Sequence, residues 1–322
     1  VCSSDLRGQT SPARVIILGF LLLILAGALL LMLPISTRAP GGAGFLEALF
    51  TATSATCVTG LVVHDTMQYW SEFGQAVILL LIQIGGMGVV TVAVAIFIFS
   101  GKRIGLKQRW VMQESISAPR VGGIIRMTGF ILRATVCMEA AGAALLALRF
   151  CPELGLGKGL WYAVFHAVSA FCNAGFDLLG DPVPYASLTG YVADPLVNCV
   201  IMALIVLGGI GFLTWSDAVT HGIHLRRYRL QSKLILTTTA ALLALPALFF
   251  FFYEFSLPQW QDLSGAERFW SACFQSVSPR TAGFNTIDLA AFSEPSQLLT
   301  TALMLIGGAP GSTAGGFKNT TL

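Results

Sequence analysis

Three short stretches of this chain, "SATCVTGLVV" at 54–63, "SAFCNAGFDL" at 169–178 and "SVSPRTAGFN" at 276–285, share one pattern. A serine is followed five or six residues later by a lone glycine, and then by Leu or Phe. The glycines, Gly60, Gly175 and Gly283, stand 115 and 108 residues apart. Self-similarity at a regular period means that the fold is built from repeated units. An apolar segment precedes each stretch: "GFLEALFTATSA", "GLWYAVFHAVSA" and "ERFWSACFQSVS". A helix of about a dozen residues reaches about 18 Å, a little over half of a hydrocarbon core roughly 30 Å thick. A half-length helix leading into a polar, glycine-ended turn reads as a re-entrant loop. Such backbone survives at membrane depth only where protein buries it or water lines it.

Composition agrees with a bilayer. Of 322 residues, 55% are hydrophobic and 11% charged, against about a quarter charged in soluble domains. Apolar runs flank the half-length segments at Val15–Leu33 and near 75–99, 124–148, 195–215, 234–253 and 297 to the end, giving six candidate spans. The expected organisation is a leader over 1–13, repeat unit 1 over 14–100, a cytoplasmic loop over 101–123, unit 2 over 124–215, a second cytoplasmic loop over 216–231, and unit 3 over 232–322, truncated in its last helix. Val15–Leu33 lacks the cleavage pattern of a signal peptide. Seven cysteines without CxxC spacing argue against a disulfide framework.

Charge sets the expected orientation. Lys102, Arg103, Lys107, Arg109, Arg120 and Arg126 crowd the first connecting loop, and Arg226, Arg227, Arg229 and Lys233 the second. By the positive-inside rule both face the cytoplasm. The opposite loops carry acids, among them Glu47, Asp65, Glu72, Glu153, Asp177, Asp194, Glu254, Glu267 and Asp288. These either concentrate cations at a pore mouth or solvate the outer loops.

The chemistry suited to such turns is dehydration of a cation. Main-chain carbonyls replace the lost water, glycine reaches the backbone angles that aim them, and the half-helix adds its negative C-terminal end. The candidate filter residues are Cys57, Val58, Thr59 and Gly60, then Cys172, Asn173, Ala174 and Gly175, and then Thr281, Ala282 and Gly283. The third turn is one residue shorter from serine to glycine. The second span of each unit also repeats, as "IQIGGMG", "IVLGGIG" and "MLIGGAPGSTAGG". Paired small residues allow close helix packing. In the third unit so many glycines and a proline oppose a continuous helix, so a break is expected there.

At "TATSATCVTGL", "AVSAFCNAGF", "SVSPRTAGFNTIDL" and "GGAPGSTAGGFKNTT" the chain resembles the potassium-uptake superfamily that includes TrkH, KtrB and the plant HKT proteins. The short N-terminus and "SPRTAGFNTIDL" are most like KtrB. The resemblance implies an all-α membrane protein of helix–pore-loop–helix units around a pseudo-fourfold ion pathway, with three of four units present. A fourth glycine is then expected at about 390, on the repeat spacing. It also implies potassium uptake across a bacterial inner membrane, passive or sodium-coupled, with no enzymatic activity and no cofactor besides the transported K+ or Na+. An intramembrane gate is implied at Gly307, Gly308, Ala309, Pro310, Gly311, Ser312, Thr313, Ala314, Gly315, Gly316 and Lys318. The implied partners are a second copy of the chain and a cytoplasmic nucleotide-binding regulatory subunit of the KtrA or TrkA type. Membrane lipids are a further partner, and nucleic acid is not one.

Other residues carry smaller expectations. Arg280 is expected to turn from the pathway and pair with an acid. Glu139 is either functional or a structural partner of Arg133, and Lys318 either faces the cavity or snorkels. Ser312, Thr313, Asn319 and Thr320 are candidates to hydrogen-bond the broken backbone, while His64 and the His221/His224 pair are expected to be ordinary polar residues. The alternatives to an ion filter are a secondary carrier for another substrate and an inactive structural fragment.

Overall fold

The computed structural model describes residues 12–88, 91–92 and 124–320. The expected loop 101–123, most of the leader and the end of unit 1 lie outside the described residues. Among the described residues the regular secondary structure is helical, with isolated bridges at Thr37–Trp70 and Ile306–Phe317. Unit 1 comprises α1 (Pro12–Leu31), α2 (Phe45–Thr56) and α3 (Glu72–Met87). Unit 2 comprises α4 (Ile124–Leu154), α5 (Leu156–Phe171), α6 (Pro195–Gly209) and α7 (Phe212–His221). Unit 3 comprises α8 (Leu230–Phe252), α9 (Gly265–Val277) and α10 (Glu294–Leu305).

The first helix of each unit is the long one. Ala13–Leu31, Ile125–Leu154 and Leu230–Ser256 are long and apolar enough to cross a membrane. Leu18, Leu22 and Leu29 on α1, and Leu245 and Leu248 on α8, are exposed, as side chains solvated by lipid should be. The half-length helices α2, α5 and α9 contain 12, 16 and 13 residues. Their ends are locally encoded. Ser264 and Glu267 form a reciprocal capping box on α9. Asp194 accepts from Leu196 N–H and Val197 N–H at the start of α6, with Pro195 in the first turn.

The second helices differ from the continuous spans expected at 195–215 and 75–99. The α6–α7 pair bends by 99° at Ile210–Gly211, where Gly211 has φ +85°. Helix α3 stops at Met87, before Gly88 at φ +83°. The break expected only in unit 3 therefore recurs at the same motif in unit 2. Beyond the bend, Asp217 of α7 accepts from Arg229 N–H at 3.0 Å and Ser232 Oγ at 2.7 Å, tying the basic connection to the start of α8.

The glycine pairs explain why the second helices sit where they do. A Cβ on Gly85 would lie 2.0 Å from the Thr56 carbonyl oxygen, and one on Gly208 would lie 1.9 Å from that of Phe171. Thr56 and Phe171 are the last residues of α2 and α5. Each second helix is thus pressed against the C-terminus of its own half-length helix, and only a residue without a side chain fits.

Replacing Gly208 with Ala should lower the unfolding midpoint of the detergent-solubilised protein, an overpacking cost of about 1–3 kcal/mol or more. Gly209→Ala should be neutral or slightly stabilising, since its Cβ would meet only the Ala314 methyl at 4.0 Å. Equal midpoints for the two variants would contradict this packing.

Candidate functional site

After α2, α5 and α9 the backbone makes the same unusual turn three times. Val58, Asn173 and Thr281 have φ of 56°, 58° and 68°, and two residues later Gly60, Gly175 and Gly283 have φ of 83°, 70° and 85°. For β-branched Val58 and Thr281 this conformation is strained. It is held from the residue between: Thr59 N–H donates to Ser54 O at 2.8 Å, Ala174 N–H to Ser169 O at 2.8 Å, and Ala282 N–H to Ser278 O at 3.0 Å. The shorter third loop loses its residue before the turn, bonding four rather than five positions back, so all three glycines keep register.

The turns are brought edge to edge. A Cβ on Gly60 would stand 2.5 Å from the Ala174 carbonyl oxygen, and one on Gly175 would stand 2.5 Å from that of Ala282 and 3.0 Å from Gly283 Cα. The middle turn is consequently the most enclosed, with Cys172, Asn173 and Ala174 buried, whereas Cys57 and Thr59 are exposed. Ser169 Oγ donates to Phe176 O at 2.7 Å, and Ser278 Oγ donates to Phe284 O, clamping the residue after the glycine. His166, buried in α5, was not singled out by sequence reasoning. Its Nε2 accepts from Leu178 N–H at 3.3 Å, which places the proton on Nδ1, facing Tyr162 O at 2.7 Å. A lone histidine on an apolar helix gives no sign of this role.

Cavities lie on either side of the turns. The first, about 130 Å³, is lined by Gly60, Asp65, Gly175, Asp177, Gly283 and Asn285. A second, of about 430 Å³, is lined by Thr56, Cys57, Gly85, Phe212, Ser312 and Thr313 among others. A third, of about 560 Å³, opens between the first and third turns beside Thr59, Gly60, Gln275, Thr281 and Gly315. Beside the first of these cavities Asp65 accepts from Met67 and Gln68 N–H at 2.9 Å, and from Tyr185 N–H at 2.7 Å, locking the loops of units 1 and 2 together. Burial, with the charge of Asp65 adding to it and a Leu179 N–H bond opposing, pushes the Asp177 carboxyl up to about 6.

The expected gate residues form a folded loop beneath the turns. Past α10, Gly307 N–H donates to Phe317 O at 2.9 Å and Gly308 N–H to Gly315 O at 3.3 Å, closing the loop on itself. It docks on the α6–α7 bend, where Ala309 N–H donates to Gly209 O at 2.8 Å and Phe212 N–H donates to Gly311 O at 2.9 Å. Of the polar side chains expected to satisfy this backbone, Thr313 instead reaches the end of α5, donating to Phe171 O at 2.8 Å, and those of Ser312 and Asn319 have no partner among the described residues. Asn319 contributes its main-chain N–H to Gly308 O at 3.2 Å. Lys318, half-buried, donates to Ala314 O at 2.8 Å, a bond within the loop itself.

Several side expectations change. Arg280 is buried and shares a small cavity with Val206, Gly209, Thr239, Gly308 and Ala314. Among the described residues no acid pairs with it, because α6 and α8 present apolar groups and Thr239 on this side. Glu139 is buried 3.9 Å from Cys172 Sγ, while Arg133 is exposed, so the proposed pair does not form. Positions six apart lie on different helix faces. His64 pairs with Glu47 at 3.1 Å and stacks on Tyr69. Several of the acids have a local structural partner: Asp65, Asp194, Glu267 and Asp288 accept from main-chain N–H groups at helical starts, and buried Glu254 accepts from Trp260 Nε1 at 2.8 Å.

Comparison with known proteins places this geometry. The TrkH family model, described as a cation transport protein, matches residues 15–322. The potassium/sodium uptake protein NtpJ of Enterococcus hirae is 41% identical over 322 residues, covering all of this chain and 70% of that protein. The Ktr system potassium uptake protein B of Bacillus subtilis is 44% identical over 312 residues, covering 97% of this chain and 68% of that protein. The crystal structure of the potassium transporter TrkH from Vibrio parahaemolyticus matches with a TM-score of 0.70 at 22% identity, a likeness of fold. It covers 99% of this chain, which spans 61% of that one.

Because the folded-state value of Asp177 lies above that of a free carboxylate, its protonation stabilises the fold. Asp177→Asn should therefore be more stable than the parent at pH 7, and the gap should shrink as pH falls through about 6. Unfolding midpoints of both proteins between pH 5 and 7 test this, and a gap that widens on acidification would refute it.

Proposed function

We propose, for a chain that belongs to the TrkH family of cation transport proteins, that it carries potassium into the cell through a filter made by its three glycine turns. The repeat units 14–100, 124–215 and 232–322 each contribute one wall. The observation that carries this reading is the threefold recurrence of a left-handed residue two positions before a left-handed glycine, with each of the first two glycines backed onto a carbonyl of the next turn. Inverting alternate residues rotates successive peptide planes, which is how a short backbone segment presents oxygens to a dehydrated ion.

The α2, α5 and α9 C-termini end at these turns, so the negative ends of their dipoles add to the cation's stabilisation. On this reading the cavity of about 130 Å³, with Asp65 and Asp177, is the outer, entry side, and the cavity of about 430 Å³ is the inner one. The folded loop at 307–318 is the gate, since it occupies the floor of the inner cavity. Placing Arg226, Arg227, Arg229 and Lys233 in the cytoplasm puts the turns toward the outer face of the inner membrane. On this reading the basic connections meet anionic headgroups and a nucleotide-binding regulatory subunit of the KtrA or TrkA type, and the protein works as a homodimer. Sodium is the candidate coupling ion, in keeping with the name of the Enterococcus relative.

In a bacterium lacking potassium uptake, the full-length protein should restore growth on limiting potassium. Gly175→Ser should abolish uptake or cut K+/Na+ discrimination at least about tenfold, because its Cβ enters the space of the Ala282 carbonyl and distorts the carbonyl cage. Unchanged, selective uptake by this variant would end the filter reading. Deleting Gly311–Gly315 should give flux that no longer needs the regulatory subunit; flux that still needs it would end the gate reading.

A further inference from the structure

The gate loop and the filter turns are joined by side chains that the transport reading does not use. Thr313 Oγ1 donates to Phe171 O at 2.8 Å and accepts from Asn173 Nδ2 at 2.9 Å. Thr313 and Asn173 are both buried, and Asn173 is the left-handed residue of the second turn. Asn173 Oδ1 has no partner among the described residues, so Thr313 is what anchors this amide. In the third turn the relation is reversed. Gly315 N–H donates to Thr281 Oγ1 at 3.2 Å, and Thr281 is that turn's left-handed residue. At the first turn the equivalent position is Val58, which has no polar group to offer.

We infer that Thr313 is a positioning residue that couples the gate loop to the filter, so that the seated loop holds the second turn in its ion-binding shape. The inference rests on the filter and gate readings above. When the loop leaves, the Asn173 amide and the Phe171 carbonyl lose their partner together, and unpartnered buried polar groups are costly. The left-handed turn at Asn173 is then braced only by the Ala174 N–H bond to Ser169 O and by packing. The freed Phe171 carbonyl belongs to the last turn of α5, at the negative end of its dipole, and becomes an oxygen available to a cation in the inner cavity. Ion affinity and loop position are therefore linked, and the linkage runs both ways: potassium in the filter favours the seated loop, and displacing the loop weakens potassium binding in the filter.

The test uses the full-length protein with its regulatory subunit in proteoliposomes, measuring half-saturating potassium, maximal rate and K+/Na+ discrimination. Thr313→Val, isosteric but without the hydroxyl, should raise half-saturation about tenfold, the size expected for orphaning a buried pair, and lower discrimination. Thr313→Ser, which keeps the hydroxyl, should bring both back toward the parent values. If Thr313→Val alters only the maximal rate, the coupling is refuted while the gate survives. If it alters nothing, the coupling is refuted as well; the Gly311–Gly315 deletion judges the gate independently. Should Thr313→Val fail to accumulate in the membrane, Thr281→Val, which removes the acceptor for Gly315 N–H, carries the same expectation and the same refutation.

Discussion

A helix that stops halfway through a bilayer leaves its last carbonyls with no water to bond. The rest of this structure depends on how that problem is answered at the ends of α2, α5 and α9. At Thr56 and Phe171 the answer begins with a glycine on the following helix, Gly85 or Gly208, close enough that no side chain could intervene. At Phe171 it is completed by Thr313, arriving from about 140 residues further along the chain. In unit 3 the corresponding glycine, Gly307, packs instead on Gly315 of its own loop. That one substitution of partner separates a helix that bends, α6, from one that unravels into a folded loop after α10.

The turns themselves are strained objects in a tight frame. Left-handed backbone at Val58, Asn173 and Thr281 persists because each following residue hydrogen-bonds back to its own half-length helix, and because Ser169 and Ser278 hold the carbonyl beyond the glycine in two of the three. Ser54 has no such bond among the described residues, and the residue after its glycine is the exposed Leu61 rather than a buried Phe. The first turn is thus the least braced from within and leans on the Asp65 clamp to the loop of unit 2 that follows it. Charge is used locally as well: Asp65, Asp194, Glu267 and Asp288 satisfy helical N-termini, where backbone N–H groups need partners.

Much of this was legible in residue order. Repeat number and spacing, half-length helices and glycine turns all follow from patterns within a dozen residues, because hydrophobic length and glycine's freedom are local properties. The break after α10 was visible for the same reason. The bend at Gly211 was not, since "IVLGGIG" reads equally as close helix packing, and the contacts of Gly209 and Phe212 with the folded loop after α10 are made by residues about a hundred positions away. Neither the role of His166 nor the contact of Glu139 is legible in the sequence, because their partners, Leu178 N–H and Cys172, are set by how helices pack.

What the amino-acid order alone determined is the building block: an apolar helix, a helix too short to cross, and a turn that needs glycine, repeated at nearly constant spacing. Its chemistry is local, so each block could be read without the others. Only the tertiary structure decided that the three turns meet, that the middle one is enclosed by its neighbours, and that Thr313 closes on Asn173. Those contacts join residues more than a hundred positions apart, and nothing in a local pattern specifies which distant carbonyl a hydroxyl will find.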